Sequence, residues 1–314
     1  KEHFGNQALQ KWDDKKAVAR DPSALEKYRT MLAEQIQYFK VTQYFFFKQW
    51  TELKNYANQK GIQIIGDMPI YVAADSVEVW TKPELFQLDE ERNPLFVAGV
   101  PADQFSATGQ LWGNPLYAWE EHKKQGYAWW IHRIEESFKI YDVLRIDHFK
   151  GFSDYWQVDG KAEVAKDGSW QPGPGYDLFK AVKEQLGDLP IIAEDLGNID
   201  DKARKLLTDC NYPGMKILQF GFEDVSGESL DSPHYCIPHS IVYTGTHDND
   251  VTNGWYNSLT EQQQQYINDY THRHEDESIC QAMIRQLFAT VSNTAIATMQ
   301  DVLDLPASSR MNVP

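Results

Sequence analysis

Five short apolar runs, each preceded by helical material, set the limits on what this chain can fold into. They are Ile62-Gln63-Ile64-Ile65-Gly66-Asp67, Asp142-Val143-Leu144-Arg145-Ile146-Asp147, Leu189-Pro190-Ile191-Ile192-Ala193-Glu194-Asp195, Lys216-Ile217-Leu218-Gln219-Phe220 and the run from Ser240 to Asp248. Near-continuous apolar strands alternating with helices predict a parallel sheet covered on both faces. Four of the five runs finish in a carboxylate. In an α/β fold of the (β/α)8 TIM-type barrel kind, the C-terminal strand ends surround one mouth, so acids from separate strands converge there. An open doubly wound sheet would also put ligands at strand C-termini. Neither a GxGxxG string nor a P-loop follows any strand, however, so phosphate cradling is unsupported and the barrel is the predicted fold.

The strands divide the chain. Residues 1–60 are polar with a helical pattern, opening a helix at Pro22-Ser23-Ala24-Leu25-Glu26 and closing another from Phe47 to Gln59 at Gly61, a C-cap candidate. This helical segment leads into the barrel, which occupies residues 61–314. Between about 73 and 130 lies an inserted region rich in Gly, Pro, Trp and Asn. Within it, Gly99 to Pro115 reads as an irregular, hinged loop covering the substrate, because loops of that size in compact domains are lids or binding loops. The four glutamines at 262–265 belong on an exposed helix. The sequence starts at Lys1 without an initiator Met and stops at the turn-like Arg310–Pro314, so it reads as a barrel truncated at both ends.

Composition narrows the ligand. The 46 acidic against 30 basic residues give a formal net charge of -16, which argues against a nucleic-acid backbone or an anionic membrane as partner. A neutral ligand fits better, and 10 Trp, 16 Tyr and 15 Phe offer flat faces for sugar rings or, alternatively, for the core. Cys210, Cys236 and Cys280 lack CxxC spacing, so they predict neither a disulfide framework nor a zinc site, and reduced cytoplasmic thiols are the default. No signal-peptide pattern opens the chain, and no run approaches the roughly 18 apolar residues of a membrane span. A cytoplasmic protein is the expectation.

Three acids on three strand ends suit glycosyl transfer, in which one carboxylate attacks the anomeric carbon, a second protonates the leaving oxygen and a third stabilises oxocarbenium-like charge. Arg145 and Asp147 lie two apart on one strand, so both face the same side, and a guanidinium there favours an ionised Asp147, the form a nucleophile needs. Glu194 follows Ile191, Ile192 and Ala193, and an apolar root raises a carboxyl toward the range of a general acid. Asp248 stands beside His247, as a stabiliser needs where a sugar hydroxyl is held while charge develops. His148 adjoins Asp147 in the same way. The structural alternative for any one of these acids is a strand-end salt bridge. A metal site built from the His and Asp residues lacks HExxH or related spacing, so none is predicted.

Five strings together resemble the amylomaltases, the 4-α-glucanotransferases of glycoside hydrolase family 77 in the α-amylase clan. They are Gly66-Asp67-Met68-Pro69-Ile70-Tyr71-Val72, Gly109-Gln110-Leu111-Trp112-Gly113-Asn114-Pro115, Arg145-Ile146-Asp147-His148-Phe149, Ala193-Glu194-Asp195-Leu196-Gly197 and Thr246-His247-Asp248-Asn249-Asp250. The resemblance runs in order from about residue 40 to 314 and includes Pro213 to Phe220. It implies a (β/α)8 barrel with inserted helical and loop subdomains, and a retaining double displacement that moves segments of α-1,4-glucan between maltodextrins with no metal or organic cofactor. It maps the nucleophile onto Asp147, the acid/base onto Glu194 and the stabiliser onto Asp248. It also implies substrate contacts at Asp67, Gln110, Trp112, Arg145, His148, His247 and Asn312, with Gln110 and Trp112 on the loop over the acceptor side. Lys150, Ala102 and Asp159 depart from the family pattern, and the first barrel strands have no counterpart here.

Two competing readings follow. An α-glucan hydrolase would use the same three acids with water as acceptor; the aromatic loop around Trp112 would exclude water and tilts the reading toward transfer. A non-catalytic carbohydrate-binding fragment would keep the acids inside incomplete barrel walls with apolar edges exposed.

Overall fold

The signals at the end of the first helical segment produce the structure they predict. The computed structural model describes residues 1–102, 106–197 and 199–312. Asp21 caps the helix Pro22–Met31 through the backbone N–H groups of Ser23 and Ala24, with Pro22 at its first position. The helix Ala33–Gln59 ends in a Schellman motif: Ile62 N–H donates to Ala57 O at 3.0 Å, and Gly61 N–H to Asn58 O at 2.9 Å. Gly61 takes φ +74°, which a side chain would resist. The next described element is a strand.

The chain forms two compact units, residues 1–191 with 199–210 and residues 192–198 with 211–314. In the first unit the strands are β1 (Ile65–Met68), β2 (Phe96–Val100), β3 (Gln110–Pro115), β4 (Val143–Ile146), β5 (Asp154–Asp159) and β6 (Ser169–Pro172). The division runs through β7 (Ile191–Ala193). Strands β1 and β4 pair in parallel with Asp67 opposite Arg145. Leu144 N–H also donates to Pro190 O at 3.0 Å, so the sheet reaches the chain entering β7. The helix Ala33–Gln59 lies on the outside: Trp50 donates to Ile140 O and Lys54 to the carbonyls of Phe138 and Tyr141. None of its residues is buried, and Tyr38, Phe39, Tyr44, Phe45 and Tyr56 are half or more exposed.

The inserted region departs from the expected irregular cover. Strands β2 and β3 pair antiparallel, and β2 also pairs with β5 and β5 with β6, giving a four-stranded sheet in the order β3-β2-β5-β6. Most of the stretch from Gly99 to Pro115 is therefore strand and turn, with backbone hydrogen bonds satisfied by a sheet. Glycine and proline content alone does not reveal this, because the register shifts between Val97 and Gly99 and the alternation is broken. Asp103, Gln104 and Phe105, part of the expected cover, lie outside the described residues.

In the second unit, β8 (Gly214–Ile217), β9 (Ser240–Tyr243) and β10 (Thr294–Ile296) form a parallel sheet in the order β10-β9-β8. The run expected as a strand over 216–220 is corrected: β8 ends at Ile217 and a helix, Leu218–Glu223, follows at once. Leu218 and Phe222, four apart and both fully buried, fall on one face of that helix. A short apolar run cannot by periodicity be divided between strand and helix. Both residues join the core with Val242, Trp255, Ile267, Met283 and Leu287. The glutamines lie on the helix Glu261–Thr271, where Gln263 completes a capping box with Thr260. Among the described residues, no helix is long and apolar enough to cross a membrane.

Candidate active site

The site residues of the first unit hang on the register of β1 with β4. Because Asp67 stands opposite Arg145, the guanidinium meets that carboxylate with one nitrogen at 2.8 and 2.7 Å. Its other terminal nitrogen reaches Asp147 Oδ1 at 3.2 Å. Arg145 is buried while both acids remain about two-fifths exposed, so one shielded cation holds two carboxylates at the C-terminal end of the strands. Asp147 is the first residue past β4 and donates its N–H to Met68 O at 3.0 Å, which prolongs the sheet by one rung. The guanidinium expected from the two-residue spacing is thus in place, and Asp67 is its second partner.

His148 then turns the chain with a left-handed φ of 50° into the 3-10 turn Phe149–Phe152, whose two phenylalanines are buried. Burial, and secondarily the Lys150 ammonium, push its imidazole down to about 4. A neutral ring both donates and accepts hydrogen bonds, as a sugar hydroxyl requires. Trp112, on β3, sets its ring edge-on to His148 with centroids 4.8 Å apart. Its indole N–H donates to Gln110 Oε1 at 3.2 Å, and Tyr71 lies 6.2 Å away on the same ring. Contacts therefore join Asp67, Arg145 and Asp147 in one group and Gln110, Trp112 and His148 in another, and the two meet where His148 follows Asp147 in the chain. Trp112 is 37% exposed, so one part of its surface is open to a ligand and the rest packs.

The second unit carries Glu194, Asp248, His247 and Asn312. Glu194 follows the buried Ile192 and Ala193, and its carboxylate accepts the Leu196 N–H at 2.7 Å, which folds the strand end back on itself. Its neighbour Asp195 accepts Met215 N–H at 2.7 Å, and burial holds that acid above the ordinary carboxylate range. Gly214 makes the approach possible, since a Cβ there would sit 2.4 Å from Asp195 Oδ2. His247 and Asp248 are exposed, with Nε2 3.3 Å from Oδ2. Asn312 donates to His247 O at 2.9 Å. His247 and Asn312 line a cleft of about 190 Å³ together with Thr246, Asn249, Asp250 and Arg310, among others, whereas Glu194 and Asp248 are not among its lining residues.

Sequence reasoning missed several residues that shape these clusters. Arg310 lines the cleft with a nitrogen 3.8 Å from Asp250, and Gln219, buried, donates to Asp250 O at 2.9 Å. Lys150 pairs with Asp200 at 3.3 Å and lies over the Trp170 ring. Tyr71 and Gln219 both fall inside strings singled out from the sequence, which was the available signal. The grouping of His132, Glu135 and Glu136 has metal-compatible spacing, but it occupies a helix outside both clusters, where Glu136 is already paired with Lys139.

A family model described as 4-alpha-glucanotransferase matches residues 1–314. The 4-alpha-glucanotransferase of Streptococcus pneumoniae TIGR4 is 53% identical over 315 residues, covering 100% of this chain and 62% of that protein. The Clostridium butyricum 4-alpha-glucanotransferase is 45% identical over 294 residues, covering 92% of this chain and 60% of its own length. The amylomaltase of Streptococcus agalactiae, solved in complex with acarbose, superposes with a TM-score of 0.97 at 60% identity, covering 100% of this chain and 63% of that one. The chain thus spans about six-tenths of the length of these relatives.

Proposed function

We propose that this chain, which belongs to the 4-alpha-glucanotransferase family of glycoside hydrolases, carries the catalytic acids of an enzyme that moves α-1,4-linked glucan segments between maltodextrins. The observation that carries the reading is the Arg145 guanidinium shared by Asp67 and Asp147 at the ends of paired strands. Held as an anion, Asp147 attacks the anomeric carbon of the donor while Glu194 gives its proton to the departing C4 oxygen. The product is a glucosyl ester on Asp147 and a shortened glucan. Glu194, now a carboxylate, takes the proton from the C4 hydroxyl of an acceptor, whose oxygen displaces Asp147 and restores the α linkage. Asp248 stabilises the positive charge that develops on the sugar ring in both steps. Protons and electron pairs balance on the carboxylates, so the reading needs no metal or organic cofactor.

Asp67, Arg145, His148 and His247 hold sugar hydroxyls in this reading, Gln110 and Trp112 line the acceptor side, and Asn312 contributes through His247. The finer fold reading, a (β/α)8 barrel of which this chain forms a part, is supported by parallel strands that end in acids. It is also supported by β1, which among the described residues is hydrogen-bonded on one side only, and by the open aromatic face of the helix Ala33–Gln59. A cytoplasmic setting accords with three free cysteines.

The test is covalent trapping. A fluorinated glucosyl donor should label the protein on Asp147, and Asp147→Asn should abolish both labelling and turnover with the melting temperature unchanged. Incubation with maltotriose should give a ladder of longer products. Glucose release without a ladder would mark a hydrolase, and a turnover rate unchanged in Asp147→Asn would remove it as nucleophile.

A further inference from the structure

Asp301 is nearly fully buried, and the catalytic roles above leave it without a task. Its carboxylate accepts from Thr244 Oγ1 at 2.7 Å and from the backbone N–H of Thr252 at 2.9 Å. Cys280 Sγ approaches the same carboxylate at 3.9 Å. Thr244 is the first residue past β9, and Thr252 opens the helix Thr252–Ser258. One carboxylate therefore grips both ends of the segment 245–251, whose middle residue is Asp248. The three gripping residues are 0–2% exposed, whereas His247 and Asp248 lie in solvent at the crest of the same segment.

Within the segment, Asn249 Oδ1 accepts from Thr246 N and Oγ1, both at 2.9 Å, and Asp248 N–H donates to Thr246 Oγ1 at 3.2 Å. Two bonds reach its backbone from outside, Gln219 to Asp250 O and Asn312 to His247 O, both at 2.9 Å. Its N-terminal end is tied to the sheet, where Thr244 N–H donates to Ile296 O of β10 at 3.2 Å and Thr298 N–H donates to Thr244 Oγ1 at 3.5 Å. Asp301 in turn is oriented by its own N–H, which donates to Thr298 Oγ1 at 3.2 Å. An apolar side chain of similar size at 301 would fill the space and leave a buried hydroxyl and a buried N–H without acceptors.

We infer that Asp301, acting through Thr244 and Thr252, is a positioning residue that sets the Asp248 carboxylate for transition-state stabilisation. The inference rests on the role given to Asp248 above. An exposed acid on a turn gains little from charge alone; held within a fraction of an ångström, it contributes a field aligned with the charge as it develops.

The experiment is a double-mutant cycle with Thr244→Val and Asp248→Asn, the folded fraction being counted by covalent titration with a fluorinated glucosyl donor. Thr244→Val removes one grip and leaves the Thr252 bond. It should lower kcat per titrated site about tenfold while KM for maltotriose changes less than about twofold, the split of an interaction made in the transition state. Thr244→Ser, which restores the hydroxyl, should recover the rate. In the Asp248→Asn background, Thr244→Val should have no further effect on kcat. Independent, multiplying effects of the two substitutions, or a Thr244→Val protein with wild-type kcat and only a lower melting temperature, would overturn the inference and leave the catalytic reading standing. A wild-type rate in Asp248→Asn alone would overturn the stabiliser role and the inference with it.

Discussion

Replacing Arg145 by Gln tests whether the shared guanidinium sets the charge state of Asp147, the proposed nucleophile. The nitrogen to oxygen separation with Asp147 is 3.2 Å, and the acid is about two-fifths exposed, so the pair sits in a dielectric nearer to water than to protein interior. Coulomb's law then gives about 1.3 kcal/mol at the dielectric of water and about 2.6 kcal/mol at half that value. Losing the cation should move the acid limb of the kcat/KM profile to higher pH. Loss of both Asp67 contacts adds disorder to the two carboxylates, so the plateau should also fall. Arg145→Lys separates the two effects. An ammonium keeps the charge but cannot span two acids as the planar fork does, so the acid limb should move less while the plateau still drops. The assay is maltotriose disproportionation from pH 4 to 8, with melting temperatures measured alongside. A uniform loss across the pH range in Arg145→Gln, with no displacement of the limb, would refute the electrostatic role and leave Arg145 as a strand-pairing residue.

Two further outcomes follow from neighbouring groups. Trp112→Ala should reduce transfer to sugar more than hydrolysis, since the glucosyl ester still forms but meets water more often; equal loss of both with a lower melting temperature would make Trp112 a packing residue. His122 is buried, hydrogen-bonded to Leu85 O at 3.1 Å, and burial pushes it down to about 4. The unfolded imidazole takes up a proton near 6.5 and the folded one does not, so its contribution to stability is complete above 6.5 and is lost as pH falls toward 4. Between pH 7 and 5 the loss should be about 2 kcal/mol, read by urea unfolding as the difference between the wild type and His122→Gln; equal pH slopes in the two proteins would rule it out.

The parts of the fold that the sequence made legible are those governed by short-range rules. Gly61 marks the end of its helix because only a residue tolerant of positive φ completes a Schellman motif, and Ile64 to Asp67 reads as a strand because nothing polar interrupts it. Strand ends were less legible: Leu218 looks like a continuation of β8, yet it begins a helix whose apolar face only tertiary packing could reveal. The inserted antiparallel sheet was hidden for the same reason. Its register shift breaks the period of two, and the pairing of β2 with β5 joins segments more than fifty residues apart.

The site divides along the same line. Arg145 and Asp147 were legible as a pair because a strand repeats every two residues, but Asp67 as the guanidinium's second partner depends on the register of β1 with β4, which no local pattern encodes. Asp301 was invisible altogether: in sequence it is one more acid among 46, and it acquires meaning only from the two threonines that the ends of one segment bring to it. The general consequence concerns where mutational sensitivity should concentrate. The half-buried Asp147 and the exposed Asp248 are each placed with the help of a buried polar group, Arg145 for one and, in the inference above, Asp301 for the other. Buried polar groups are costly to leave half-satisfied, and each is satisfied here by contacts that also fix a carboxylate at the surface. Substitutions at Arg145, Thr244 and Asp301 should therefore impair catalysis and stability together, whereas Asp147→Asn and Asp248→Asn should impair catalysis alone, and the two classes separate in a plot of kcat against melting temperature.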